Sequence, residues 1–229
     1  RLDRDITQMM APERFLELIH DFTLFDAGAK KIARPNQYFA VKAAQDRVRD
    51  REGGIIWQTQ GSGKSLIMVM LARWIQEHNP DARVLVITDR KELDQQIVNQ
   101  VFGGTGDKVR RAKSGADLMD ALASPEDRVV CSLVHKFGSR GKKGDVDALI
   151  DDIRTSKVGK PEGEFFVFID EAHRTQSGKL ALAMRKILPE AMFIGFTGTP
   201  LLRSDKSTSL EIFGPYIGKP YRFDEAVED

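Results

Sequence analysis

Five short apolar runs constrain the fold of this chain more than any other feature: Ile55–Trp57, Val84–Ile87, Val129–Leu133, Phe165–Ile169 and Met192–Phe196. Most are continuous rather than alternating, the pattern of strands buried on both faces, and hence of a parallel sheet covered by helices. Helical patterns lie between them, at Lys64–Gln76, Glu92–Val101, Ala116–Leu122, Val146–Ile153 and Ala181–Ile187. The expected fold is therefore α/β, a mostly parallel sheet flanked by helices on both faces. Residues 1–35 read as helical, because Phe15, Leu16, Leu18 and Ile19 are near helical spacing and Phe22, Leu24 and Phe25 follow, until Pro35 interrupts. A second helix is expected over 38–50, with Phe39, Val41 and Ala44 toward the core. The expected organisation is a helical amino-terminal extension over 1–36 and one larger α/β domain over 37–229. Residues 138–144 and 158–163 read as solvated loops.

The first run leads into Thr59-Gln60-Gly61-Ser62-Gly63-Lys64-Ser65, and a long apolar stretch starts at Leu66. A strand, a glycine-rich turn and a helix in that order aim backbone N–H groups and a helix N-terminus at one point, which suits a phosphate. Lys64 adds charge for the β- and γ-phosphates, and the Ser65 hydroxyl is a Mg²⁺ ligand type. The pattern G-x-x-x-x-G-K-[ST] asks for glycine at position 58, where this chain has Gln58. A nucleoside triphosphate with Mg²⁺ is the expected ligand.

Phe165–Ile169 runs into Asp170-Glu171-Ala172-His173. Acids at the C-terminal end of a buried parallel strand sit where such sheets bind ligands. Asp170 suits Mg²⁺, mostly through water, and Glu171 suits the orientation or deprotonation of an attacking water. After the last run, Thr197-Gly198-Thr199 offers hydroxyls that can bond His173 or Glu171 and sense the γ-phosphate.

Composition excludes several classes. With 35 basic and 34 acidic residues in 229, the net charge of +1 gives no bulk argument for nucleic acid, so any such contact must rest on local patches. The single cysteine, Cys131, excludes an internal disulfide and reads as buried filler. No apolar stretch nears the roughly 20 residues of a membrane span, and no secretory signal is visible, so a cytoplasmic location is expected.

The ordered set of Gln37, Gly-Ser-Gly-Lys-Ser, Thr88-Asp89-Arg90, Asp-Glu-Ala-His and Thr-Gly-Thr resembles superfamily 2 helicases and translocases. The runs Ile56–Ser65, Ile169–Gln176 and Gly195–Pro200, with Phe213–Ile217 beyond them, are similar to the motor (R) subunit of type I restriction enzymes. That resemblance implies a RecA-like lobe of an ATP-dependent double-stranded DNA translocase. It assigns adenine reading to Gln37, phosphate binding to Thr59, Gln60, Gly61, Ser62, Gly63 and Lys64, Mg²⁺ to Ser65 and Asp170, catalysis to Lys64, Asp170, Glu171 and His173, and coupling to Thr197, Gly198 and Thr199. Arg90 and Lys136 match DNA-facing motifs. Arg140, Lys142 and Lys143 form a basic loop that would add phosphate contacts. Arg110, Arg111 and Lys113 are a weaker case of the same kind.

The family's motor sandwiches ATP between two lobes, and the 30 residues after Thr199 are expected to be too few for a second. An arginine finger on that second lobe is worth about 10³–10⁵ in rate, so weak hydrolysis is expected of this lobe alone. The implied partners are double-stranded DNA, specificity and methyltransferase subunits, and the second lobe of the parent chain, with cleavage by a nuclease domain elsewhere. Three alternatives stay open on sequence: a small-molecule P-loop kinase, a nucleotide-gated DNA or protein binding module, and an RNA or DNA helicase lobe of another system.

Overall fold

The computed structural model describes residues 10–26, 28–88, 109–133, 161–172, 175–199 and 209–221. Along the chain these form α1 (Pro12–His20), β1 (Thr23–Asp26), β2 (Ala29–Ile32), α2 (Pro35–Arg49), β3 (Gly54–Trp57), α3 (Lys64–His78), β4 (Ala82–Thr88), β5 (Val109–Ala112), α4 (Gly115–Ala123), β6 (Val129–Leu133), β7 (Glu164–Ile169), α5 (Thr175–Ile187) and β8 (Met192–Thr197). Six strands make one sheet in the order β3-β8-β7-β4-β6-β5, and every pairing is parallel.

Strand alternation divides the core in two. Phe166 and Phe168 of β7, Val84 and Val86 of β4, and Ile194 and Phe196 of β8 pack with α2 and α3 on one face. Phe165, Val167, Leu85, Ile87 and Phe193 pack with α4 and α5 on the other. Both sheet faces are thus covered, which is why the strands read as unbroken apolar runs. Cys131 is buried in the first of these cores, as its surroundings predicted.

Three expectations need correction. The amino-terminal extension is not wholly helical: α1 ends at His20, and residues 23–32 form an antiparallel hairpin. Phe22, Thr23 and Leu24 are buried in succession while Phe25 is exposed, which is not the helical spacing the apolar residues suggested. The Thr23 hydroxyl donates to Leu18 O at 2.9 Å, and Gly28 takes φ +82° beside the turn. Second, Phe39 is exposed, not core. The buried stripe of α2 is Gln37, Ala40, Val41, Ala44 and Gln45, and Pro35 starts this helix rather than breaking one. Third, Val109–Ala112, read as part of a cationic patch, is the edge strand β5.

The other edge, β3, is covered by the segment 215–221. Ile55 N–H donates to Pro215 O, Ile217 N–H to Ile55 O and Tyr221 N–H to Trp57 O, at 2.9, 2.8 and 3.0 Å. This strap ends beside the phosphate loop, where Thr59 N–H donates to Tyr221 O at 3.1 Å.

Candidate nucleotide-binding site

Because all six strands are parallel, their C-terminal ends share one edge of the sheet. The loop 58–63 leaves β3 there, Thr88 ends β4, Asp170 and Glu171 follow β7, and Thr197 ends β8. This is the edge at which open α/β sheets bind ligands.

The loop turns back into α3 through two residues of positive φ, Gly61 and Gly63, both at +85°. Ser62 closes the turn with its N–H and hydroxyl on Thr59 O, at 3.2 and 2.7 Å. Gly63 caps α3 and has no side chain to satisfy the first-turn N–H groups, which suits an anionic ligand. Glycine is needed at 63 twice over, for its left-handed backbone and because a Cβ there would collide with the Gln37 amide nitrogen. Gln37 is buried at the start of α2. Its Nε2 donates to Ser62 O at 2.8 Å, and its Oε1 accepts from Arg34 N–H at 2.9 Å. Gln37 therefore latches the loop here, and Asn36 adds a bond to Gln58 Oε1 at 2.9 Å.

Lys64 Nζ donates to Gln58 O at 3.3 Å, across the mouth of the loop. It also brings the loop to the third motif, since a Cβ at Gly198 would lie 2.8 Å from that nitrogen. Gln58 N–H donates to Thr197 O at 3.0 Å. The Thr197 hydroxyl donates to Thr199 O at 2.9 Å, which folds 197–199 into a tight turn. Gln60 is exposed, and Ser65 lies partly exposed in the first turn of α3.

Asp170 and Glu171 are both 5 % exposed. Asp170 N–H donates to Ile87 O at 2.9 Å, and Thr88 Oγ1 to Asp170 Oδ2 at 3.3 Å, so β4 positions this carboxylate. Glu171 takes φ +51°, a backbone region that costs a residue with a Cβ about 1–3 kcal/mol and that clusters at functional sites. The other non-glycine residue of positive φ among those described, Arg51, is an ordinary helix stop after α2. Beyond the turn, Ala172 N–H donates to Phe196 O at 2.9 Å. A Cβ on Gly195 would lie 2.8 Å from the Ala172 Cβ, so the acidic turn sits where β8 has no side chain.

Sequence reasoning did not single out the roles of Arg34, Asn36, Thr88, Gly195 and Tyr221. Of these, Gly195 left a legible signal, a glycine inside a buried strand. His173, Arg90, Lys136, Arg140, Lys142 and Lys143 lie outside the described residues. Arg110 is not an open phosphate contact: Asp117, Asp120 and Asp127 bind its guanidinium at 2.8, 2.6 and 2.9 Å. The hydrogen bond from Asp117, then that from Asp120, raises its already high pKa further. A cleft of about 970 Å³ lies at the opposite end of the sheet, lined by Arg51, Asp81, Arg83, Arg128 and Lys186 among others. It lies at the end of the sheet away from the phosphate loop, Asp170, Glu171 and Thr197–Thr199.

The residues fit a nucleoside triphosphate with a divalent cation. The loop offers backbone donors, an uncapped helix start and Lys64, while Ser65, Thr88 and Asp170 supply the hydroxyl and carboxylate oxygens that Mg²⁺ prefers. Among the described residues no helix is long and apolar enough to cross a membrane.

The sequence model of the SWI2/SNF2 ATPase family matches residues 36–229. The type I restriction enzyme HindI endonuclease subunit of Haemophilus influenzae is 33% identical over 252 residues, covering 96% of this chain and 23% of its own length. The MjaIXP endonuclease subunit of Methanocaldococcus jannaschii is 33% identical over 237 residues, with coverages of 98% and 21%. This chain thus spans about a fifth of the length of such relatives. Among solved structures, the Sulfolobus solfataricus SWI2/SNF2 ATPase core in complex with double-stranded DNA superposes with a TM-score of 0.58 at 16% identity, covering 86% of this chain and 37% of that one. A nuclease-deletion mutant of the Type ISP restriction-modification enzyme LlaGI, solved with a DNA substrate mimic, gives 0.58 and 16%, covering 86% of this chain and 20% of that one. The fold is therefore the RecA-like lobe that the motif order implied.

Proposed function

The chain belongs to the SWI2/SNF2 ATPase family, and from that premise we propose that it is the ATP-binding lobe of a double-stranded DNA translocase in a type I restriction enzyme. One observation carries the reading. The phosphate loop, Asp170-Glu171 and Thr197–Thr199 share one sheet edge, in a chain that aligns over nearly its whole length with restriction-enzyme subunits.

In this reading the 59–64 backbone and Lys64 hold the phosphates, and Gln37 reads the adenine edge with the second N–H and second lone pair of its carboxamide, the first of each being held by Ser62 O and Arg34 N–H. Because Gln37 also bonds Ser62 O, base recognition and loop shape are joined in one side chain. Ser65 and Asp170 would hold Mg²⁺, which when bound neutralises charge on the β- and γ-oxygens. Glu171 accepts the proton of the attacking water, as a positioned carboxylate can. Thr197, Gly198 and Thr199, beside the loop at the end of β8, report the nucleotide state to the rest of the motor, with His173 as a further member. Arg90, Lys136, Arg140, Lys142 and Lys143 are proposed to grip DNA phosphates. The second lobe, the nuclease, and the specificity and methyltransferase subunits complete a cytoplasmic assembly.

The test is steady-state ATP turnover by the full-length subunit with Mg²⁺. Duplex DNA should stimulate it, and Lys64→Ala should abolish that stimulation. Equal stimulation by RNA would point to a helicase of another system. Turnover indifferent to nucleic acid but dependent on a small acceptor would point to a kinase.

A further inference from the structure

Gln58 stands where the general phosphate-loop pattern has glycine, a departure that phosphate binding alone does not explain. It is not a surface substitution. The residue is 2% exposed and is held on several sides. Its N–H donates to Thr197 O at the end of β8 at 3.0 Å, and its carbonyl accepts from Lys64 Nζ at 3.3 Å. It forms a parallel bridge with Tyr221 of the strap. Its side-chain Oε1 accepts from Asn36 Nδ2 at 2.9 Å, in the first turn of α2.

The first three contacts use the main chain and are open to any residue. The last is not. Glycine at 58 would have no side-chain acceptor to offer Asn36, so the Asn36 bond is what the carboxamide adds. It has a counterpart at the other end of the loop, where Gln37 donates to Ser62 O. Two successive residues of α2 thus grip the loop, one near its entry and one near its exit.

The place of residue 58 matters because the lysine and the β8 turn meet there. A Cβ on Gly198 would lie 2.8 Å from Lys64 Nζ and 3.7 Å from Gln58 O. A shift of Gln58 therefore moves together the carbonyl that holds the lysine and the N–H that holds Thr197. Phosphoryl transfer depends almost wholly on positioning and charge, so small displacements of such groups tell on the chemical step.

We propose that Gln58 is a positioning residue. Anchored by Asn36, it sets the carbonyl on which Lys64 rests and the placement of Thr197 before nucleotide arrives. This rests on the phosphate-site reading above, and its effect falls on turnover rather than on nucleotide affinity.

The test uses the full-length subunit with duplex DNA and ATP-Mg²⁺. Gln58→Met keeps the length of the side chain and removes its acceptor. Gln58→Met and Asn36→Ala should each lower kcat by about three- to tenfold, the worth of one hydrogen bond, with KM for ATP within about twofold of the original. The double variant should lose no more than either single one, because both break the same bond. Asn36→Asp should keep kcat, since the Gln58 carboxamide can turn over and donate through Nε2. A second readout needs no turnover: the rate at which acetic anhydride acetylates Lys64 in the nucleotide-free subunit, followed by mass spectrometry. Gln58→Met and Asn36→Ala should raise that rate by about threefold or more as the lysine loses its rest, and Asn36→Asp should not. An unsubstituted subunit that fails to hydrolyse ATP would count against the translocase reading, and acetylation would then decide the role of Gln58 by itself. Unchanged kcat or unchanged acetylation in Gln58→Met and Asn36→Ala would overturn the proposal. So would additive losses in the double variant, or a kcat loss matched by a rise in KM and a fall in Tm, the mark of a purely structural role.

Discussion

The two ends of the sheet are built by opposite rules. At the C-terminal end, Gly61, Gly63 and Glu171 all take positive φ, Gly195 and Gly198 admit neighbours that a Cβ would displace, and two carboxylates are buried together. At the N-terminal end, Arg83 of β4 is buried and bonds five main-chain carbonyls: Ala121, Leu122, Ser124, Asp127 and Glu162, at 2.6–3.3 Å. Three of these belong to the last turn and cap of α4, whose orphan acceptors it satisfies. Its guanidinium lies 4.6 Å from the Phe165 ring centroid, and burial lowers its pKa from the usual arginine value. One end spends stability on a poised site; the other recovers it through satisfied polar groups. Substitutions at the first should therefore cost activity but not stability, and those at the second stability but not activity.

The largest break between the ends should come from Arg83→Met. Leaving several buried carbonyls without donors should cost about 3 kcal/mol or more in denaturant unfolding, while the protein that remains folded binds a fluorescent ATP analogue with its original Kd. Lys64→Ala should do the reverse, weakening that Kd by about 10–100-fold, the worth of a charge-assisted contact, at an unchanged Tm. Glu171→Gly sharpens the contrast further. Relief of the positive φ should raise unfolding free energy by up to about 1 kcal/mol while turnover is lost.

A smaller effect is expected of Gly195→Ala, which pushes on Ala172 and so on Glu171. kcat should fall about tenfold with the nucleotide KM little changed, as when a catalytic group is misplaced, and Ala172→Gly should restore it. The smallest concerns Asp117. Burial opposes its ionisation, but the Arg110 hydrogen bond, the Lys113 N–H and both positive charges outweigh that and lower its pKa. Its contribution to stability is present above the ordinary carboxylate pKa and fades as pH falls through the lowered value. In Arg110→Ala this acid-range dependence, followed by thermal melts from pH 5 to 2, should flatten.

The sequence told more about one end than the other, for physical reasons. Strands β3, β4, β6, β7 and β8 were legible because burial on both faces leaves unbroken apolar runs, and the loop and acidic turn because their chemistry needs fixed residue types at fixed spacing. β5 was not, since Arg110 and Arg111 on a sheet edge read as surface charge, and only the fold brings Asp117, Asp120 and Asp127 to Arg110. The hairpin was missed because Phe22, Leu24 and Phe25 satisfy helical and strand periods alike over so short a run. Arg83 could not be anticipated, because its partners are main-chain carbonyls and leave no residue signature. Nor could Gln37's grip on Ser62, which depends on how α2 approaches the loop.

Glu171 is the proposed proton acceptor of an ATPase site at the C-terminal edge, and Glu171→Gln in the full-length subunit is its sharpest test. The substitution keeps shape and removes the base. DNA-stimulated ATP turnover per folded molecule should fall by about 10²–10⁴, with nucleotide Kd and Tm unchanged. Turnover equal to that of the unsubstituted subunit would exclude Glu171 as the base.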